Sequence, residues 1–170
     1  MIYWIITGFI APIPLFHLWL HALLPWWRKH PILFYACAVL VWAASFALFA
    51  MFDKSAGIFF ISHQNAAFGG YFLIIIGFIA GLSSIAILGP KRFFVWAVLR
   101  PESVQRTRIS KGPFHWFPHP AYLGYLLISI GNFLASGKFY SLLVAIFLFT
   151  LTPMVILLEE KELKRRIETQ

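Results

Sequence analysis

The stretch Ile32–Phe52, ILFYACAVLVWAASFALFAMF, runs for 21 residues without a charge, and about 20 apolar residues are enough for a helix to cross the hydrocarbon of a bilayer. Working outward from it, further apolar runs occupy 2–24, 70–88, 121–135 and 139–158. Hydrophobic residues make up 61% of the chain and charged residues 12%, and the mean hydropathy is +0.80. So little polar surface cannot cover a water-soluble globule. The chain therefore reads as all-α, a polytopic membrane protein of about five transmembrane helices, in a single membrane domain over 1–170.

The run 121–135 is the short one. At 1.5 Å per residue it covers about 22 Å of a core about 30 Å thick. It is expected to thin the bilayer locally or to form a short helical hairpin with the last helix through Ser136-Gly137-Lys138. Pro12 and Pro14 interrupt the first run, which lacks a basic leader and is expected to stay as a first helix. The lone Cys37 lies within the second run and can form no intrachain disulfide.

Charge placement gives an orientation independently of hydropathy. Arg28 and Lys29 follow the first run; Lys91, Arg92, Arg100, Arg106, Arg108 and Lys111 fall in the loop 89–120; Lys161, Lys164, Arg165 and Arg166 fall in the tail 159–170. Only Lys54 and Lys138 lie on the other side. The positive-inside rule then puts the N-terminus outside and the loop and tail in the cytoplasm. The net charge of +8 reads as attraction to anionic headgroups of the lipid bilayer. No basic run is interleaved with exposed aromatics in the manner of a nucleic-acid binder, so no nucleic acid is expected as a partner.

With so much of the chain in apolar runs, any chemistry has to be built from helix ends and the loop 89–120. The part of that loop around Phe93, Phe94, Trp96, Val98 and Leu99 reads as a short interfacial helix, its basic neighbours snorkelling to headgroups. Between Gly112 and Pro120 three prolines and a glycine bar a regular helix and impose a kinked, largely extended path. His119-Pro120-Ala121-Tyr122-Leu123-Gly124 then enters the fourth run with an imidazole and a phenol at the membrane edge, where polar rings are seldom needed for anchoring. Glu159-Glu160 closes the last run on the same side.

Gly112-Pro113-Phe114-His115-Trp116-Phe117-Pro118-His119-Pro120-Ala121-Tyr122-Leu123-Gly124, followed by Gly131 and then Glu159-Glu160-Lys161-Glu162-Leu163, resembles the isoprenylcysteine carboxyl methyltransferase family and the related membrane phospholipid N-methyltransferases. Those proteins carry G-x-[YF]-x-x-x-R-H-P-x-Y-x-G at the entry to one helix and E-E-x-x-L after the next. The resemblance covers about the last 60 residues and rests on two separated motifs in order. It implies a pocket for S-adenosylmethionine at the cytoplasmic face, formed by Phe114, His119, Pro120, Tyr122, Gly124, Glu159 and Glu160. It also implies methyl transfer to an amphiphilic small-molecule or lipid substrate that enters from the bilayer.

The residue types suit that ligand, which carries an ammonium, a sulfonium, a carboxylate and a ribose diol. Glu159 can accept from the ammonium or the ribose, His119 and Tyr122 can donate to the carboxylate, and aromatic faces suit adenine and the cationic centre. In-line methyl transfer asks mainly for positioning and exclusion of water, so no general base is required of the chain. Three positions depart from the pattern. Pro118 stands for the arginine before His-Pro, and Phe114 supplies a ring without a hydroxyl. Val155 stands where the prenylcysteine enzymes have an arginine one turn before the glutamates, which argues against a prenylcysteine carboxylate as substrate. The family's further F-G-x-x-Y-x-x-Y is not matched by Arg165–Gln170, and a non-catalytic scaffold or partner subunit that keeps the fold is the alternative expectation.

The remaining histidines have blander readings. His17 and His21 are one helical turn apart, but no other apolar run offers an opposing histidine for a haem. They read as a polar stripe near the helix end, beside Trp19, Trp26 and Trp27 as interface anchors. His115 and His119 are four apart, but Pro118 breaks the helix that would align them, and no metal is expected.

Overall fold

The computed structural model describes residues 2–54, 64–103 and 108–168, and all regular structure among them is helical. Arg106 and the last two residues lie outside this set. Helix α1, Tyr3–Ile10, and α2, Ile13–Ala22, meet at a turn over Ala11 and Pro12. Pro12 and Pro14 lack the N–H groups that would carry the ladder across that turn. Next come α3, Leu24–Lys29, and α4, Pro31–Lys54, then α5, Gln64–Leu88. Two four-residue helices, α6, Pro90–Phe93, and α7, Trp96–Leu99, open the loop, and α8, Pro120–Ser136, and α9, Phe139–Glu168, close the chain.

Among the described residues, four stretches are long and apolar enough to span a membrane: 3–22, 31–54, 66–88 and 139–165. Large apolar side chains such as Val39, Leu40, Met51, Phe72, Ile75, Ile79 and Leu82 are exposed along α4 and α5, as lipid-facing positions of a bundle should be. The protein is thus an all-α polytopic membrane protein. Its short helix α8 is 17 residues long and leans chiefly on α5. The two helices cross in an antiparallel glycine seam. A Cβ placed on Gly77 would lie 2.6 Å from the Gly124 carbonyl oxygen, and one on Gly131 would lie 2.5 Å from that of Gly70. Without hydrophobic drive between helices in lipid, such backbone approach supplies the packing attraction.

The expected hairpin is present. Gly137 ends α8 in the left-handed region (φ 64°) and its N–H bonds the Phe133 carbonyl, a conformation at which a Cβ is penalised. Lys138 then pairs with Asp53, and Tyr140 donates to the same carboxylate at 2.9 Å, which ties the hairpin to the end of α4. Helix α9 does not stop at Leu158 but continues through Glu159 and Glu160 to Glu168. Lys161, Glu162, Leu163 and Lys164 are all good helix formers, and nothing in the segment breaks the ladder.

Three sequence expectations need correction. The path from Gly112 to Pro120 is kinked but not largely extended, because Gly112–His115 forms a 3-10 helix with Pro113 in its first turn. The segment 93–100 is not an interfacial helix lying on the surface. A left-handed Val95 (φ 58°) separates α6 from α7, and Val95, Val98 and Leu99 are buried in one cluster with Leu20, Leu24, Trp27 and Phe34. Of the large apolar side chains there, only Phe94 is well exposed. Trp27, expected as an interface anchor, belongs to the same core, packed edge-on against Trp19 and donating Nε1–H to the Trp19 carbonyl at 3.3 Å. An indole whose N–H finds an internal acceptor no longer needs the headgroup region.

Candidate functional site

The chain directions bring one end of every long helix together. Helix α2 ends, α8 begins and α9 passes at this end, and the loop after α5 folds across it. They enclose a cavity of about 210 Å³ whose walls include His17, His21, Phe93, Arg108, Phe114, His119, Pro120, Tyr122, Tyr125, Glu159 and Glu160. Six of the seven residues expected at a cofactor pocket therefore share one cavity. The seventh, Gly124, does not line it; a Cβ there would meet the Gly77 carbonyl oxygen at 2.7 Å. Its smallness serves helix packing.

Helix position decides what each group can reach. His119 is the residue before α8 and Pro120 the first within it, where a missing N–H costs nothing because the first turn has no acceptor for it. Tyr122 lies two residues further, buried, and its hydroxyl donates to Glu159 Oε1 at 2.5 Å. His119 Nε2 stands 2.9 Å from Glu160 Oε1, and its Nδ1 is 3.8 Å from Glu159 Oε2. Arg108 reaches both oxygens of Glu160, at 3.1 and 3.3 Å. A cation from the loop thus reaches the site although Pro118 supplies none. Val155 is fully buried and offers the cavity no polar group.

The sequence reading missed three contributors. His17 is not merely a polar stripe: its Nδ1 is 2.9 Å from Glu159 Oε1 and 3.1 Å from the Tyr122 hydroxyl. Arg108 is separated from Glu160 by 52 residues, and no local pattern announces such a pair. Arg28 on α3 bonds the Val98 carbonyl at 3.1 Å and Glu162 at 2.5 Å, pinning loop and α9 to the first helices. The only prior signal was the spacing of His17 and His21 on one helix face.

Chemically, the cavity walls present three carboxylates, Glu159, Glu160 and Glu162, three imidazoles, the guanidiniums of Arg92 and Arg108, and several aromatic rings. Such a set suits a zwitterion of modest size, with acceptors for a cation and donors for a carboxylate in the same wall. The donor set thus fits an amino-acid sulfonium ligand. A family model for phospholipid methyltransferases matches residues 65–168, and comparison with curated proteins and with solved structures yields no match. The matched stretch runs from α5 through α9 and carries both His119–Tyr122 and Glu159-Glu160, and the chain belongs to the phospholipid methyltransferase family.

Proposed function

We propose that the protein transfers a methyl group from S-adenosylmethionine to a lipophilic or amphiphilic acceptor, at the membrane face that carries the basic loop and tail, here taken as cytoplasmic. Family members are membrane methyltransferases that generally use this donor. The observation that carries the reading is the convergence of two distant motifs, His119–Tyr122 and Glu159-Glu160, on one cavity through bonds of 2.5 and 2.9 Å.

In this reading Glu160 and Glu159 Oε2 receive the ligand's ammonium or ribose hydroxyls, and Arg108 with His119 receives its carboxylate. Phe114, Tyr122 and Tyr125 supply π faces for the adenine and the positive centre. When bound, the donor supplies an electrophilic methyl on sulfonium. The chain's share is orientation and exclusion of water, because in-line displacement gains most from a fixed approach. An acceptor with an apolar tail reaches the cavity from the bilayer, and the apolar Val155 leaves no cation there to select a carboxylate headgroup.

Calorimetric titration of the detergent-purified protein with S-adenosylmethionine, and with its demethylated product, tests this. Saturable binding that weakens in Glu159→Gln and His119→Ala is expected. Absence of binding at millimolar ligand would overturn the reading. Labelled methyl transfer into total lipid, then into small hydrophobic acids, amines and thiols, identifies the acceptor class.

A further inference from the structure

We infer that His17, His21 and Glu159 form a binding site for one divalent transition-metal ion of the zinc type, opening into the same cavity. One donor atom from each residue lies within 4.8 Å of the other two. His17 and His21 sit one turn apart on α2, the spacing by which a single helix face offers two imidazoles to zinc. Glu159 completes a two-histidine, one-carboxylate set, a known zinc donor combination that keeps a further position free for water or another ligand. None of the three is strongly exposed, so they are not a solvated surface cluster.

The distances suit an ion. His17 Nδ1 and Glu159 Oε1 are 2.9 Å apart, and two donors at that separation, each about 2.1 Å from a metal, subtend an angle of about 90°. His21 closes the set with a side-chain shift of at most about 1.4 Å, from the 4.8 Å limit to the roughly 3.4 Å that separates tetrahedral donors. A supporting contact is already in place: the Tyr122 hydroxyl donates to Glu159 Oε1 at 2.5 Å, the kind of bond that orients a ligating carboxylate. The Glu159 carboxylate is divided between two tasks. Oε1 faces His17, whereas Oε2 faces His119 at 3.8 Å, so an ion on one oxygen leaves the other for the zwitterion pocket.

The two histidines lie outside the stretch 65–168 that matches the family. Two of the three donors therefore come from α2, outside the matched stretch, and the third, Glu159, from within it. It also stands apart from the methyltransferase reading, because metal content is measured with no methyl donor present.

The test is zinc quantification on tag-free, detergent-purified protein equilibrated with zinc and then desalted, alongside zinc-edge X-ray absorption of the wild-type protein. One zinc per chain is expected, with two imidazoles and oxygen in its shell. His17→Ala and His21→Ala should each lose it, His115→Ala should keep it, and Tyr122→Phe should weaken affinity by about 10- to 100-fold. Substoichiometric zinc in the wild type, a shell without two imidazoles, or stoichiometric zinc in both histidine variants would overturn the site. The absorption measurement needs no variant and so does not depend on their folding.

Discussion

Tyr122 Oη lies 2.5 Å from Glu159 Oε1 although 37 residues separate them, so the start of α8 and the exit of α9 are fastened at the cavity wall. The fastening explains why one motif alone makes no site. Tyr122 fixes which way the carboxylate points, and the carboxylate supplies the charge.

Removing the charge and removing the fastening should therefore differ. Glu159→Gln keeps the shape but loses a charge-assisted partner worth roughly 1.5–3 kcal/mol, or about 10- to 100-fold in affinity for S-adenosylmethionine. Tyr122→Phe loses only a neutral donor, worth about 1 kcal/mol, and should weaken binding about fivefold. Titration calorimetry on both variants checks the order; equal affinity of Glu159→Gln and wild type would exclude the carboxylate as a ligand contact.

The two arginine pairs near the cavity should also separate. Arg108 is 54% exposed in its pair with Glu160, whereas Glu162 in the Arg28 pair is only 10% exposed. An exposed pair contributes about 0–1 kcal/mol, while removing one partner of a largely buried pair costs more, here about 2 kcal/mol. Arg28 also holds the Val98 carbonyl. Thermal unfolding in detergent should show Arg28→Ala lowered well beyond Arg108→Ala, and Arg108→Ala should instead weaken donor binding.

The long apolar helices were legible because lipid permits only one solution for an uncharged run of 20 residues. The order of His119, Tyr122, Glu159 and Glu160 was legible as motif. What was not legible is the long-range pairing. Arg108 meets Glu160 through a prolonged loop, and Val95 turns inward by a left-handed backbone that no β-branched residue announces in sequence. The packing role of Gly124 is hidden for a related reason: a glycine inside a ligand motif and a glycine in a helix seam read alike until the partner, Gly77, is known.

That seam makes a prediction about stability alone. A Cβ on Gly77 meets the Gly124 carbonyl oxygen and the Ile128 side chain, both at 2.6 Å, whereas one on Gly81 meets nothing within 4 Å. Gly77→Ala should cost about 1–3 kcal/mol through overpacking. Gly81→Ala, one turn away on the same helix, should be neutral or stabilise by up to about 1 kcal/mol, since alanine is the better helix former. Apparent melting temperatures read by detergent size-exclusion profiles distinguish the two, and equal effects would refute the seam.

A polar cluster lies buried in the bundle, away from the cavity. Asn132 Nδ2 reaches Thr7 Oγ1 at 2.8 Å, Ser141 Oγ at 3.2 Å and the Tyr3 carbonyl at 3.3 Å, linking α1, α8 and α9. Its Oδ1 is buried without a hydrogen-bond partner among the described residues. These two facts oppose each other energetically. Bonds between helices in lipid contribute about 0.6 kcal/mol on average and up to about 2 kcal/mol, while an orphaned buried acceptor costs about 1–3 kcal/mol that its removal would return. Asn132→Ala should therefore destabilise by only about 1 kcal/mol, the cavity it leaves adding to the lost bonds. A double-mutant cycle with Thr7→Val should give a coupling of about 0.5–1 kcal/mol, and donor affinity should be unchanged because neither residue lines the functional cavity. Zero coupling in unfolding would remove the Asn132–Thr7 bond from the forces that hold α1 to α8.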